Sequence, residues 1–484
     1  MHVLYPVMID HEPADGVRMT DTEHVGVDGT TSSPSASPDV TDASEQPPAP
    51  VRIGSTSAYQ FAAQVVALGV NFIVSVLVAR TLGPEGKGQL SVLQQVPGVL
   101  MVLLNFGLAY SNFYFVGRRK QPAGEALGNS ILVALAAGIV GAPIVWLLTI
   151  GPLAVVPNLP ASGAIVAAVL LPISLVASFA VSVGNGLGLL KKASLANMIA
   201  TGLTLLLVLA AYALDALNVT AVLAISAVTG VTSMGFVIAA MRPLLGRLSV
   251  RMAAFRESAK YSVKSYLGNL AGYLNYRLDI ILVGYLAGAA SVGVYSIAVT
   301  FAELMWYVPN ALATSIQAKT MSVDKDDAVA IAARTSRLTS ALMLLVCVVA
   351  AALIMPIISV FYGAAFMPAV VPFLLLLPGV WTMGVAKIMS GYLAGHGKLY
   401  PGVAAVSALL NLIANIALIP LMGSAGAALA SSVSYSVLGG WFFIAFPRFT
   451  GIPARAMLFP TAEDIRALKQ SAQEYAAAIS RWCR

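Results

Sequence analysis

Residues 126–150 read ALGNSILVALAAGIVGAPIVWLLTI, twenty-five positions without a charged side chain. A helix needs about 20 consecutive apolar residues to cross the hydrocarbon core of a bilayer, and this run is long enough. It is continuously apolar rather than alternating, which excludes a strand of a membrane barrel. Runs of the same kind lie near 58–81, 89–116, 161–188, 194–215, 219–241, 261–287, 292–317, 336–361, 370–394, 400–421 and 424–446, giving about twelve spans. Composition agrees: 58% of the 484 residues are hydrophobic and 10% charged, with a mean hydropathy of +0.84. Soluble domains carry about 45–50% apolar and about 25% charged residues. A water-soluble enzyme is excluded, and the chain reads as an all-α, polytopic membrane protein.

The formal net charge is +7, unevenly spread. Residues 1–51 hold nine acids and one Arg, a net of −8, so the remainder carries +15. That opening stretch is rich in Pro, Ser, Thr, Asp and Glu and buries too little apolar area to offset its ordering entropy. Lacking a basic segment followed by an apolar one, it is not a signal peptide. We assign residues 1–54 as a disordered acidic tail. Beyond it the loops alternate. One set carries Arg118, Arg119 and Lys120, then Lys191 and Lys192, then Arg242, Arg247, Arg251, Arg256 and Lys260, then Lys319, Lys325, Arg334 and Arg337, then Lys398. The opposite set has Arg80 and Lys87. Lys and Arg accumulate in cytoplasmic loops. An even number of spans therefore places both termini in the cytoplasm of a cell (inner) membrane protein.

The two halves echo each other. Laying Asn71 on Asn275 superposes Leu82 on Leu286, and one inserted residue later Gly88 meets Gly293, Ser91 meets Ser296 and Asn105 meets Asn310. Six spans per copy give two parallel bundles related by an axis along the membrane normal, with substrate between them. We therefore expect a first lobe over 55–250 and a second over 251–447, around a central cavity. Within the eighth span Ser296, Thr300, Glu303, Tyr307, Asn310, Thr314 and Gln317 step by 4 and 3, one continuous helical face. The second span repeats the register with Ser91, Gln95, Gly98, Val102, Asn105, Ala109 and Asn112. The first span presents Gln60, Gln64, Asn71 and Ser75 on one side, and the seventh presents Ser262, Tyr266, Asn269, Tyr273, Tyr276 and Arg277. Polar side chains avoid lipid, so these faces line water or bind helix to helix.

Charges inside spans are costly and mark function by default. Arg277 lies well inside the seventh span and calls for an anionic partner. Asp279, two residues on, projects to nearly the opposite face, so it packs on a neighbouring helix instead of pairing with Arg277. Lys387, with Gly384 and Gly391 on its face, is a second cavity cation. Arg80 points away from the first span's polar side, so either the helix unwinds before Gly83-Pro84 or the guanidinium reaches the outer headgroups. Lys264 snorkels at the cytoplasmic end, and His396 is a lone loop histidine. Cys347 and Cys483 form neither a disulfide framework nor a metal site. No phosphate-binding loop, HExxH, CxxC or GxSxG motif is present, so neither catalysis nor a cofactor is expected, and the basic charge does not signal nucleic acid. Residues 448–484 end in an amphipathic segment. Thr461 and Asp464 form a capping box there, and Ile465, Leu468, Tyr475, Ile479 and Trp482 share a face. Such a helix lies on the inner leaflet or packs on cytoplasmic loops.

Three stretches carry a family resemblance. VARTLGPEGKG (78–88) is similar to an A-R-x-L-G-P-x-x-x-G hairpin. Arg277-Leu278-Asp279 followed by VGVYSIA (292–298) is similar to an R-x-D … G-x-Y-s-x-A region. LIPLMG (418–423) with GAALA (426–430) is similar to a late L-I-P-x-x-G-x-x-G-A-A-x-A stretch. Together, in this order, they resemble the polysaccharide transporter branch of the multidrug/oligosaccharidyl-lipid/polysaccharide exporter superfamily. The resemblance covers most of 55–447 and neither tail. It implies two six-helix lobes with a V-shaped cavity and alternating access, flipping a polyprenyl-diphosphate-linked oligosaccharide to the outer leaflet. It raises Arg80 and Arg277, with Lys387, as ligands of the diphosphate, because Arg pairs strongly with anionic oxygen in low dielectric. Gln60, Gln64, Asn71, Gln95, Asn105, Tyr273, Thr300, Tyr307 and Asn310 would line the cavity and suit sugars, and Glu303 or Asp279 would carry a coupling proton or sodium ion. The bilayer and the lipid-linked oligosaccharide are the expected partners, with a polysaccharide polymerase or glycosyltransferases as protein partners. A drug/cation antiporter of the same superfamily would want a cavity dominated by acids, and a non-transporting scaffold for cell-envelope enzymes would use the polar faces for packing alone.

Overall fold

A computed structural model describes residues 53–395, 401–464 and 466. The acidic tail, the side chain of Gln60, the loop residues His396 and Lys398, Cys483 and the face built on Ile465, Leu468, Tyr475, Ile479 and Trp482 lie outside the described residues. The first six spans are carried by α1 (Ile53–Leu104), α2 (Leu108–Gly117), α3 (Ala123–Thr149), α4 (Ala161–Gly186), α5 (Leu190–Ala213) and α6 (Val219–Leu245). The second six follow as α7 (Met252–Leu304), α8 (Tyr307–Thr320), α9 (Lys325–Ile357), α10 (Val370–Gly395), α11 (Pro401–Met422) and α12 (Ser424–Thr450). Among the described residues, ten helical stretches are long and apolar enough to cross a membrane.

Ten stretches make twelve crossings because two of them double back. α1 has 52 residues and α7 has 53. A straight helix of that length runs to about 78 Å, against about 30 Å of hydrocarbon. Each reverses at a glycine in a conformation that side-chain-bearing residues avoid: Gly83 (φ 65°, ψ −177°) and Gly288 (φ 81°, ψ 172°). The reversal of α7 is proved by its own contacts. Arg277 Nη2 sits 2.9 Å from Glu303 Oε2, 26 positions further on, which would be about 39 Å away along a straight helix.

The two reversed helices pack on each other and join the lobes. Residues ascending α1 meet residues descending the second hairpin: Gln64 hydrogen-bonds Tyr307, Phe72 faces Phe301, and Gly98 approaches Tyr273. Tyr266 then donates to the carbonyls of Val102 and Leu103. The first leg of α1 therefore lies on the second leg of α7, and its second leg on the first leg of α7, as a twofold axis along the membrane normal requires. The sequence alignment of Gly88 with Gly293 is a physical meeting. A Cβ on Gly88 would collide with the Ala289 carbonyl, and one on Gly293 with that of Pro84. We call the side carrying these turns the hairpin end and the opposite side the basic end.

The continuous polar face expected through the eighth span is broken. α7 stops at Leu304 and α8 begins at Tyr307, with Met305 and Trp306 bonded back three residues to Ala302 and Glu303. The cause is Pro309, which has no amide hydrogen for the carbonyl four residues back and whose ring crowds that oxygen. The second span breaks as well, at Phe106 and Gly107 (φ 51° and 73°), but six residues out of register with the repeat.

At the basic end the linker of residues 246–251 is held to α3 by Asn129, which bonds both the amide and the carbonyl of Arg251. Past α12 the chain turns under the second lobe. Thr461 and Asp464 form the expected capping box, and the Asp464 carboxylate accepts from Arg337 Nε (2.7 Å) and Nη2 (3.1 Å). Arg334 lies 3.5 Å from it.

Two predictions follow from this packing. G88A should lower stability by about 1–3 kcal/mol, the usual range for an overfilled contact, read as a fall in melting temperature in detergent. G69A, where a Cβ meets nothing within 4 Å, should leave it unchanged. The hydrogen bonds from Arg337, foremost, hold the Asp464 carboxyl well below the usual carboxylate range. A depressed carboxyl stabilises docking above its unfolded value of about 3.9 and gives that up as pH falls through its folded value. Hydrogen exchange of residues 451–464 should thus be equally protected relative to intrinsic rates at pH 5 and pH 8, whereas D464N should cost about 1–2 kcal/mol of docking at pH 7 and raise exchange about tenfold.

Candidate functional site

The charged residues inside the spans sort into three places. The first is a cluster within the second lobe. Arg277 on the first leg of α7 is nearly buried, with 8% of its side chain exposed, and pairs with the more open Glu303 (28%) on the second leg. From α10, Lys387 lays its ammonium 4.9 Å from the centre of the Trp306 ring and 5.9 Å from that of Tyr276. The two rings pack on each other at 5.5 Å and on Tyr435 at 5.2 and 5.4 Å, and Trp306 is anchored through Nε1 to the Val380 carbonyl at 2.9 Å. Glu303 acts electrostatically on Lys387 and on Tyr273 as well as on Arg277. Two cations thus lie about Glu303, Arg277 also feels Asp279 across the helix, and aromatic faces stabilise the second cation. The hairpin at Gly288 brings Arg277 to Glu303, and the break before Pro309 places Trp306 beneath Lys387.

Asp279 occupies the second place, on the far side of the same turn of α7. It is fully buried, and it accepts from Tyr295 (2.5 Å), Ser431 (3.1 Å) and the Ile280 amide (2.7 Å). The network continues through Asn275, Ser407 and Ser434, then through Asn411 and Asn415. It ties α7 to α11 and α12. The expectation that Asp279 would pack on neighbouring helices, away from Arg277, matches this geometry. Its partners were not singled out from sequence, although Ser407, Asn411 and Asn415 recur every four residues in an otherwise apolar span.

Arg80 stands in the third place, apart from both clusters. It is exposed at the hairpin end, and α1 stays helical up to Gly83. Its Nε donates to the Phe361 carbonyl at 2.6 Å and its Nη2 to that of Val360. The helix does not unwind before it, and the guanidinium crosses to the other lobe. The residues expected along the polar faces are distributed between the lobes. Gln64, Asn71, Thr300 and Tyr307 are exposed, and Gln95, Asn105, Tyr273 and Asn310 are half-buried. The Ser296, Thr300 and Thr314 hydroxyls bond carbonyls of their own helix, so they need no second helix to satisfy them. Asn105 caps the Ala109 amide at 3.3 Å.

Residues 54–318 match the family model described as polysaccharide biosynthesis protein. The fold is similar to that of lipid II flippase MurJ in an inward closed conformation, at 16% identity over 84% of this chain and 89% of that one, with a TM-score of 0.66. It is also similar to a multidrug resistance MATE family transporter of the MOP superfamily in an inward-facing conformation (15% identity, 79% and 94% covered, TM-score 0.62). A MOP superfamily transporter from Pyrococcus furiosus, described by a binding pocket of reverse polarity, follows at 15% identity, 83% and 95% coverage and a TM-score of 0.58. No curated protein matches the sequence.

Proposed function

Because this chain belongs to the polysaccharide biosynthesis protein family and is a multi-pass membrane protein with the two-lobed MOP fold, we propose that it flips a polyprenyl-diphosphate-linked oligosaccharide between the leaflets by alternating access. The observation that carries this is the placement of Arg277 and Lys387 about Glu303, while the other acid of the region, Asp279, is turned away into a hydrogen-bonded network with α11 and α12. An excess of cation in a low-dielectric site suits an anionic headgroup and disfavours a cationic drug. A diphosphate approaching Arg277 competes with Glu303, and its oxygens offer the guanidinium fork a better match than one carboxylate oxygen. Exposed Gln64, Asn71, Thr300 and Tyr307 provide hydrogen bonds for sugar hydroxyls. With the basic loops cytoplasmic, cargo enters at the basic end and leaves at the hairpin end.

Coupling falls to Asp279 in this scheme, with Glu303 as the second acid. Asp279 sits two residues from Arg277 on the far side of the same turn of α7, so a proton or sodium ion taken up there is felt by the helix that holds the cargo cation. A drug/cation antiporter would need acids to outnumber bases in the cluster, and here they do not.

Removing one partner of a buried pair destabilises by about 3–5 kcal/mol, so the test removes both. The double variant R277L/E303L should fold and insert normally while flipping of a fluorescent polyprenyl-diphosphate saccharide in proteoliposomes falls about 10- to 100-fold, the loss of one charge-assisted contact. Unchanged flipping would refute the cluster as the headgroup site, and a parent protein that moves no lipid in the same assay would be better described as a scaffold. Depletion in cells should leave a lipid-linked saccharide on the inner leaflet, whose identity names the cargo. D279N should abolish the part of transport driven by an ion gradient while leaving gradient-free exchange. Loss of both together would assign Asp279 to folding alone.

A further inference from the structure

We infer that Arg80 is the latch of the gate at the hairpin end, bound to the opposite lobe while that end is closed and released to an anionic headgroup when the lobes part. The proposal rests on the alternating-access function above for its second half and on contacts between the lobes for its first. α9 ends in a π turn, Ile358–Tyr362, closed by Gly363 at φ 89°. The last carbonyls of a helix have no amide further along to bond and form the negative end of its dipole. Arg80, from the first lobe, fills that position, with Nε on Phe361 and Nη2 on Val360. Two adjacent carbonyls meeting two nitrogens of one planar guanidinium is a geometry that Lys does not reproduce.

The surroundings make this contact a seal. About two turns below Arg80 on α1, Phe72 sits edge-on to Phe361 at 5.2 Å and to Tyr362 at 6.2 Å. Phe301 of α7 closes the group at 6.3 Å from Phe72 and 6.0 Å from Tyr362. The Tyr362 hydroxyl donates to Ser75 at 3.2 Å, and above them the backbones of the two hairpins touch at Gly88 and Gly293. Three helices from two lobes therefore close one plug, and Arg80 is the charged group that spans it. Neutral carbonyls are weaker acceptors for a guanidinium than phosphate oxygens. Arg80 is exposed, so a diphosphate arriving from below as the plug loosens can take the guanidinium from α9 and leave the gate unlatched. Arg80 is in this sense a positioning residue: in the closed state it holds lobe to lobe, and it touches cargo only after release.

Spin labels on E85C and A365C, both exposed positions at the hairpin end on opposite lobes, report the gate distance in a chain with Cys347 and Cys483 replaced by alanine. In vesicles without cargo, R80Q should shift the distribution to longer distances, with at least a threefold rise in the open population, and R80K should fall between R80Q and the parent. Adding polyprenyl diphosphate to the vesicles should open the parent and produce no further change in R80Q. An unchanged cargo-free distribution in R80Q would overturn the latch, as would identical behaviour of R80K and the parent. R80K, which keeps the charge, also separates latch loss from misfolding of R80Q. The cargo-free measurement requires no flipping, so a parent protein that opened on R80Q but moved no lipid would refute the proposed function and leave the latch standing.

Discussion

The mismatch between helix length and bilayer thickness governs this molecule. Two helices of more than 50 residues cannot lie in about 30 Å of hydrocarbon without turning round, and each turns on one glycine with positive φ. Once they turn, much else is determined. The hairpins bring Gly88 against Ala289 and Gly293 against Pro84, so the lobes are registered at one end by backbone contact. The same reversal in α7 carries Glu303 back to Arg277 and Tyr295 back to Asp279, so both ionisable sites of the second lobe depend on Gly288. Bilayer geometry and site chemistry are linked through that one turn.

Continuous apolar runs made the twelve crossings legible, because lipid leaves the chain no other way to satisfy its backbone. The repeat was legible too, and Gly88 with Gly293 was its most informative pair. What sequence did not convey was that the match arises from contact: identical residues 205 positions apart are seen, but not that each leaves room for a backbone carbonyl of the opposite hairpin. The polar face of the eighth span was misread for a physical reason. Steps of 4 and 3 assume an unbroken helix, and Pro309 breaks it between Glu303 and Tyr307. The network about Asp279 was invisible because Ser431 and Ser434, which bond Asp279 and Asn275, lie more than 150 positions further on, in a helix whose rotation sequence does not specify.

Arg80 and Arg277 illustrate how far residue type alone goes. Both sit in stretches that resemble a family motif, and both were assigned to the same diphosphate. Their surroundings separate them. Arg277 is nearly buried beside a carboxylate, with Lys387 over two aromatic rings nearby. Arg80 is exposed and faces uncharged carbonyls. A guanidinium is always charged, so what distinguishes the two is the cost of removing the partner. Taking Glu303 from Arg277 strands a buried charge, whereas taking Val360 and Phe361 from Arg80 returns a solvated one to water.

That difference gives the two cations an order in time. A buried cation that must keep an anion at all times exchanges one anion for another, so in the proposed flippase cargo and Glu303 would be alternative partners of Arg277, neither leaving before the other arrives. An exposed cation can be free for part of the cycle, so Arg80 can open before cargo reaches it. Placed at the end where the hairpins meet, such a group adds little to binding while the lobes are closed and acts when they separate. Under that proposal the deep site selects for charge, and the shallow one responds to conformation. A single V-shaped cavity lined by equivalent arginines would not divide the work in this way, and burial, not the motif, is what assigns each arginine its part.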